Sequence, residues 1–209
     1  MKRIVVFVAL LAASVAMSRA QESRQDISLS ANALSEPFMA SSTTVQVSAS
    51  PAYGGLVSYR YMLTPTAALE GNYGITYQNS IHFYSPSFGC LVNGDCPGYK
   101  VLTRTQEMSG AFVKYFVAKN WNPFVEAGPA ALIFLPILNS GTTTLSTKQE
   151  TSISGLFGGG VAYEVSPSFD LRVEYRGLLT KVPSFGLSQL DAKRWYWISE
   201  PTIGVAYHF

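Results

Sequence analysis

The stretch Trp195-Tyr-Trp-Ile-Ser-Glu-Pro-Thr-Ile-Gly-Val-Ala-Tyr-His-Phe209 decides the fold. Counted back from its end, Phe209, Tyr207, Val205 and Ile203 are apolar at every second position. His208, Ala206, Gly204, Thr202 and Glu200 between them are small or polar. Successive side chains of a strand point to opposite faces, so one face here meets apolar surroundings and the other does not. At the open edge of a soluble sheet such a strand invites aggregation. A strand that closes a barrel in a membrane has no open edge.

Seven further segments upstream carry the same alternation: 27–34, 53–63, 67–78, 103–117, 123–135, 153–165 and 169–180. Each is about long enough to cross a bilayer at a tilt. Residues 43–50 also alternate, and either extend the second strand or replace the first. The connections differ in length by turns. Thr64-Pro65-Thr66, Lys119-Asn120-Trp121 and Ser166-Pro167-Ser168 are tight, whereas 35–52, 79–102, 136–152 and 181–194 are long and rich in Ser, Thr, Gly, Pro and Asn. Short turns at one end and long loops at the other are the outer-membrane arrangement. The expected architecture is an all-β, eight-stranded antiparallel up-and-down transmembrane barrel, with periplasmic turns, extracellular loops and both termini in the periplasm.

Only 13% of the 209 residues are charged, about half the usual globular share. The longest apolar run after the first twenty residues, 129–138, is far short of a spanning helix and holds two prolines. Residues 1–20 form a separate unit. Lys2 and Arg3 precede an apolar run over 4–17, and Ser18-Arg19-Ala20 suits a signal peptidase, with cleavage after Ala16 the other possibility. The barrel domain is then 21–209. Removing Lys2, Arg3 and Arg19 leaves 12 basic against 13 acidic residues, so the basic balance of the full chain gives no case for nucleic acid. An exported chain meets an oxidising compartment, so Cys90 and Cys96 are expected to form a disulfide. A metal site would need more ligands than the nearby His82 and Asp95.

Parity assigns the faces. Val57, Tyr59, Tyr61 and Leu63 oppose Ser58 and Arg60; Leu69, Tyr73, Ile75 and Tyr77 oppose Glu70, Asn72, Thr76 and Gln78; Leu171, Val173 and Tyr175 oppose Arg172, Glu174 and Arg176. In 103–117, Ala111, Val113, Tyr115 and Val117 are assigned to the lipid face, and Gly110, Lys114, Phe112 and Phe116 to the inner one. Glu107 then falls on the apolar parity, toward the loop end, where the bilayer has stopped. The polar face is otherwise mostly small, which suits the narrow inside of an eight-stranded barrel. The apolar face carries an interfacial aromatic girdle: Tyr59, Tyr61, Tyr73, Tyr77, Tyr115, Trp121, Tyr163, Phe169, Tyr175, Tyr207 and Phe209.

The terminal pattern, a final Phe with an aromatic two residues before it and apolar alternation upstream, resembles the C-terminal targeting strand of bacterial outer-membrane barrels. With the signal, eight strands and loop asymmetry, the whole mature chain resembles the OmpA/OmpX-like family of small outer-membrane barrels. The larger members' periplasmic peptidoglycan-binding domain is not expected, since the chain ends with the eighth strand. The resemblance implies contacts with outer-membrane lipid and lipopolysaccharide. It also implies recognition by the barrel-assembly machinery through Ile203, Val205, Tyr207 and Phe209.

No catalytic constellation or cofactor motif is visible. Outer-membrane lipid A deacylases place His and Ser two residues apart on one strand face. His208 has Ala206 at that spacing, and Ser80, at the right distance from His82, sits in an expected loop. The informative constellation is the set of interior charges. A three-residue turn at Thr64–Thr66 places Arg60 opposite Glu70, and one at Lys119–Trp121 places Lys114 opposite Glu126. In the next hairpin Ala162, Gly160 and Gly158 face Arg172, Glu174 and Arg176, with Glu200 on the neighbouring strand. These eight charges are expected to form an ionic network that closes the lumen, leaving a structural and surface-interaction barrel. The alternative is a small pore, or a conduit for small apolar solutes of the OmpW type. The ionic lumen argues against the conduit; Phe112, Phe116, Phe124, Leu132 and Phe134 on the inner parity argue for it.

Overall fold

Nine stretches of alternating burial organise the chain in a computed structural model, which describes residues 24–36, 46–84, 98–116, 120–141, 146–187, 190–191 and 194–209. They are β1 (Gln25–Leu34), β2 (Gln46–Ala49), β3 (Ala52–Thr64), β4 (Ala67–Tyr84), β5 (Tyr99–Tyr115), β6 (Trp121–Gly141), β7 (Glu150–Ser166), β8 (Phe169–Lys181) and β9 (Trp195–His208). All ladders are antiparallel. β1 pairs with β9, and β4 with β5, so the sheet closes on itself. β2 pairs with β4 directly beyond the reach of β3, making β2 and β3 one broken stave of an eight-stranded barrel. Pro51, which has no N–H to donate, lies at the break, and the β4–β5 ladder carries a register shift between Thr76 and Asn79. Residues 43–50 thus lengthen the second stave, as far as they are described. The signal segment and both cysteines lie outside the described residues.

β4, β5 and β6 run 18, 17 and 21 residues, well past the ~9–11 a tilted strand needs to cross a bilayer. Sequence between 79 and 102, expected to be loop, is strand as far as Tyr84 and again from Tyr99. One wall therefore stands taller than β1 or β8, at 10 and 13 residues.

The outward face is an apolar band that includes Leu29, Val57, Leu69, Ile153, Val173, Ile203 and Val205. Tyr59, Tyr61, Tyr73, Tyr77, Trp121, Phe169 and Tyr175 face outward with it. Tyr53, Trp195 and Trp197 are outward aromatics that parity did not single out.

β5 is the correction. Ala111, Val113 and Tyr115 are buried inside the barrel, whereas Phe112 and Phe116 are outward and half exposed. Gly110 lies on the outer face with them, and Glu107 is inside, 4% exposed. Apart from Lys114, near the strand end, residues 112–116 are apolar on both parities, so a charge at mid-depth distinguishes the faces, and that charge is Glu107. The register agrees: Val113, not Lys114, lies opposite Glu126, and Lys114 opposite Val125. Trp121 is in β6, paired with Tyr163, and the β5–β6 register differs by one residue from the expected one. A one-residue slip turns every side chain to the other face.

The interior is stratified along the barrel axis. At the turn end Ala68, Val113, Tyr115, Phe124 and Ala162 pack together. The middle is ionic. At the loop end a larger apolar cluster includes Phe83, Leu132, Phe134, Leu156, Leu178 and Ile198, with Phe185 from the segment after β8 wholly buried among them.

Candidate functional site

The ionic tier is built by strands whose inward positions alternate charge with small residues. In β8, Asp170, Arg172, Glu174 and Arg176 point inward in succession, and Ala162, Gly160 and Gly158 of β7 lie opposite the last three. A side chain at Gly158 would meet the Glu126 carboxylate, so the small residue is what leaves that group its place.

Three arginines, each at most 1% exposed, are the nodes. Arg60, opposite Glu70 in the β3–β4 ladder, pairs with Glu70 through Nε and with Glu174 through Nη2 at 2.9 Å. Its Nη1 donates to the Tyr115 hydroxyl at 2.7 Å, and its guanidinium lies 4.4 Å from the centre of the Phe124 ring. Arg176 meets three carboxylates: Glu107 at 2.6 Å, Glu200 at 2.8 Å and Glu126 at 3.4 Å. Asn32 donates to Glu200, and Ser109 to Glu107. Arg172 pairs with Asp26 at 2.8 Å. At the turn end His208 Nε2 stands 2.8 Å from Asp170. Burying charges is tolerated only with such pairing, because desolvation of a lone ion costs several kcal/mol.

Seven of the eight expected network residues therefore line the lumen: Arg60, Glu70, Glu126, Arg172, Glu174, Arg176 and Glu200. The eighth, Lys114, does not. It is exposed on the outer face, and its Nζ donates to Thr66 Oγ1 at 2.8 Å. The long side chain sits near the turn end of its strand and reaches the polar rim there, as lysines near membrane boundaries do. The expected Lys114–Glu126 pair is replaced by Arg176–Glu126. Asp26 and Glu107 are lumen residues that sequence reasoning missed. Asp26 shares parity with the buried Ser28, Ser30 and Asn32, a signal that was available one residue before the expected start of the first strand.

The mouth has its own closure. Glu150 Oε2 accepts hydrogen bonds from Ser184 N–H at 2.7 Å, Ser184 Oγ at 3.1 Å and Phe185 N–H at 2.5 Å. This holds Phe185 in the left-handed region, at φ 53°, with its ring edge-on to Phe83.

Ser80 and His82 are both in β4 rather than a loop, with Oγ and Nε2 3.1 Å apart. The residues flanking His82 in the ladders are Ser48 and Lys100. Partial burial and the Lys100 charge lower the imidazole pKa.

At the terminus Ile203 and Val205 are outward and half exposed, and Tyr207 lies against Phe169 and stacks on Phe209.

The sequence matches the outer membrane protein beta-barrel domain family over residues 5–209. The chain belongs to that family. It is an outer-membrane β-barrel protein, and the fold agrees with solved members of that architecture. The outer membrane protein OprG of Pseudomonas aeruginosa is similar at 10% identity, with 90% of this chain and 97% of that one covered and a TM-score of 0.60. Neisserial surface protein A is similar at 15% identity, over 88% and 97%, with a TM-score of 0.51. No curated protein matches the chain. At these identities the likeness speaks to the barrel alone.

Proposed function

We propose that this outer-membrane barrel is a closed, non-enzymatic scaffold whose working surface is its loop end. The observation that carries this reading is the lumen. Arg60 reaches Glu174, and Arg176 reaches Glu107, between strands that are not neighbours in the sheet. A second barrier, Phe185 in its apolar surround, lies in series with them.

In this reading the tight turns and both termini are periplasmic and the loops are extracellular. Residues 1–20 direct export and are removed. Cys90 and Cys96 form a disulfide within one of the loops. The strand bearing Ile203, Val205, Tyr207 and Phe209 is the one the barrel-assembly machinery engages, and outer-membrane lipid with lipopolysaccharide surrounds the apolar band. The lumen residues serve closure rather than transport. The experiment is planar-bilayer recording of the refolded protein, where no steady conductance is expected. A large, stable wild-type conductance refutes the scaffold.

One observation favours a second reading. The loop-end third of the interior is apolar, from Ile81 and Phe83 to Leu178 and Ile198, and a small apolar solute would be compatible with it. Uptake of such a solute into proteoliposomes, absent from empty vesicles, would promote the conduit.

A further inference from the structure

Where the chain leaves β1 the wall is notched, and one acid stitches the notch. β3, which lies between β1 and β4, pairs with β1 only as far as Leu34↔Ala52, whereas β4 runs on to Tyr84. Past that point Ser35 and Ser199 exchange two backbone hydrogen bonds, each of 2.8 Å, which hold β9. Glu36 follows. Asn79 Nδ2 of β4 donates to its Oε1 at 2.6 Å, and the Tyr196 side chain of β9 lies against it. All three side chains are buried. Glu36 therefore ties the end of β1 to β4 and to β9 across the mouth.

The stitch shares a residue with the stopper of the mouth, Phe185. Tyr196 belongs to the apolar cluster that seats Phe185, and Glu150, which clasps the Phe185 amide, acts on the Tyr196 hydroxyl as well. Water has a side route to this point. The β7–β8 ladder ends at Gly155↔Leu179, although both strands continue, and a cavity of about 640 Å³ beyond it is lined by Glu150, Ser152 and Ser184 among others. The first residues past the last rung are Ser154 and Thr180. Both are buried, and neither hydroxyl has a hydrogen-bond partner. Thr180 is opposite Tyr196 in the β8–β9 ladder. Ser154, Thr180 and Tyr196 thus set a file of hydroxyls between the open seam and Glu36, and buried hydroxyls of this kind take up water.

We propose that Glu36 is a proton-operated catch on the Phe185 stopper. With its proton on, Glu36 is neutral and keeps the stitch from β1 to β4 and β9. When the proton passes to water along the hydroxyl file, the anion is left facing Asn79 from β4 and Tyr196 from β9. Neither is charged, and beyond Tyr196 stands a second acid, Glu150 of β7. A buried carboxylate without a counter-ion is costly. It draws water into the apolar seat that Tyr196 shares with Phe185, and the stopper loosens. The loop-end interior then opens to water, while the Arg60 and Arg176 contacts stay closed below it. Linkage gives the direction with pH. Burial lifts the Glu36 carboxyl to about 7, and once released it ionises at its ordinary value of 4.5. Opening therefore gives up a proton. It becomes more favourable as pH rises from about 4.5 and levels off above about 7.

The test is amide hydrogen exchange of the refolded barrel in detergent micelles, read by NMR as protection factors, which remove the intrinsic pH dependence of exchange. The amides followed are Ser184 and Phe185, both held by Glu150, with Val173 in the middle of β8 as reference. Between about pH 5 and about pH 8, wild-type protection at Ser184 and Phe185 is expected to fall at least about tenfold, most of it below about pH 7, while Val173 stays within about twofold. Glu36→Gln keeps the Glu150 clasp and has no proton to lose, so all three amides should stay within about twofold. An equal fall in Glu36→Gln overturns the catch and makes the clasp itself the titrating element. An equal fall at Val173 overturns it in favour of global unfolding. A flat wild-type profile overturns it without any variant, so the test stands even if Glu36→Gln does not fold. Exchange in micelles depends neither on which end of the barrel faces outward nor on whether the lumen conducts, so failure here leaves the scaffold reading untouched.

Discussion

Arg176 of β8 and Glu107 of β5 meet across the barrel, Nη2 to Oε1 at 2.6 Å, with two strands of wall between them. This contact ties opposite sides of the lumen together, and no hairpin relates its partners. Glu126 and Glu200 share the same guanidinium. Three carboxylates on one arginine make the node asymmetric: the cation is indispensable and an individual acid is not.

Replacing Arg176 by Met should therefore be severe, since it leaves three buried carboxylates without their counter-ion. A loss of about 3–5 kcal/mol is expected, against less than about 1 kcal/mol for Glu126→Gln, the most loosely held of the three. Urea unfolding in micelles, followed by tryptophan fluorescence, separates the two. Equal losses would show that Arg176 is not the node.

Closure involves two barriers in series, and this gives a second expectation. Phe185→Ala should leave conductance near zero, because the Arg60 and Arg176 contacts still span the lumen below. Phe185→Ala combined with Arg60→Ala and Arg176→Ala should produce discrete openings. If Phe185→Ala alone conducts as well as the triple variant, the ionic tier is no barrier.

Phe185 sits at φ 53°, where a Cβ costs roughly 1–2 kcal/mol that glycine does not pay. Removing its buried ring costs ~3–5 kcal/mol in either variant. Phe185→Gly should consequently be more stable than Phe185→Ala by about 1 kcal/mol, the reverse of the usual order at a loop position. Denaturation of the two variants side by side gives the sign directly.

Glu36, which follows β1, is buried, and burial raises its carboxyl pKa to about 7 against the opposing Asn79 and Tyr196 side chains. Asn79 Nδ2 donates to it at 2.6 Å. A raised folded-state pKa means that the native protein holds a proton the unfolded chain gives up. Its contribution is whole below about pH 4.5 and is lost as pH rises through about 7. Wild-type stability should fall by roughly 3 kcal/mol across that interval through this group, and Glu36→Gln should flatten the profile there. A parallel pH profile for the variant would show that Glu36 ionises without linkage to folding.

What local sequence determined here is whatever depends on parity and turn length. Arg60 opposite Glu70 and the inward row from Asp170 to Arg176 follow from alternation and short connections, which are properties of neighbouring residues; Arg176 opposite Glu200, across the long 181–194 connection, came from the structure. The same logic misled in β5. Residues 112–116 are apolar on both faces, so parity had no anchor there except Lys114, which lies close enough to a strand end to reach out of the membrane. Glu107, at mid-depth, was the informative charge. Only the closed barrel decided the rest. Arg176 meets Glu107, Phe185 fills the mouth, and β7 parts from β8 above Gly155↔Leu179, because strand tilt and closure bring together side chains and edges that are remote in sequence and that no periodicity relates.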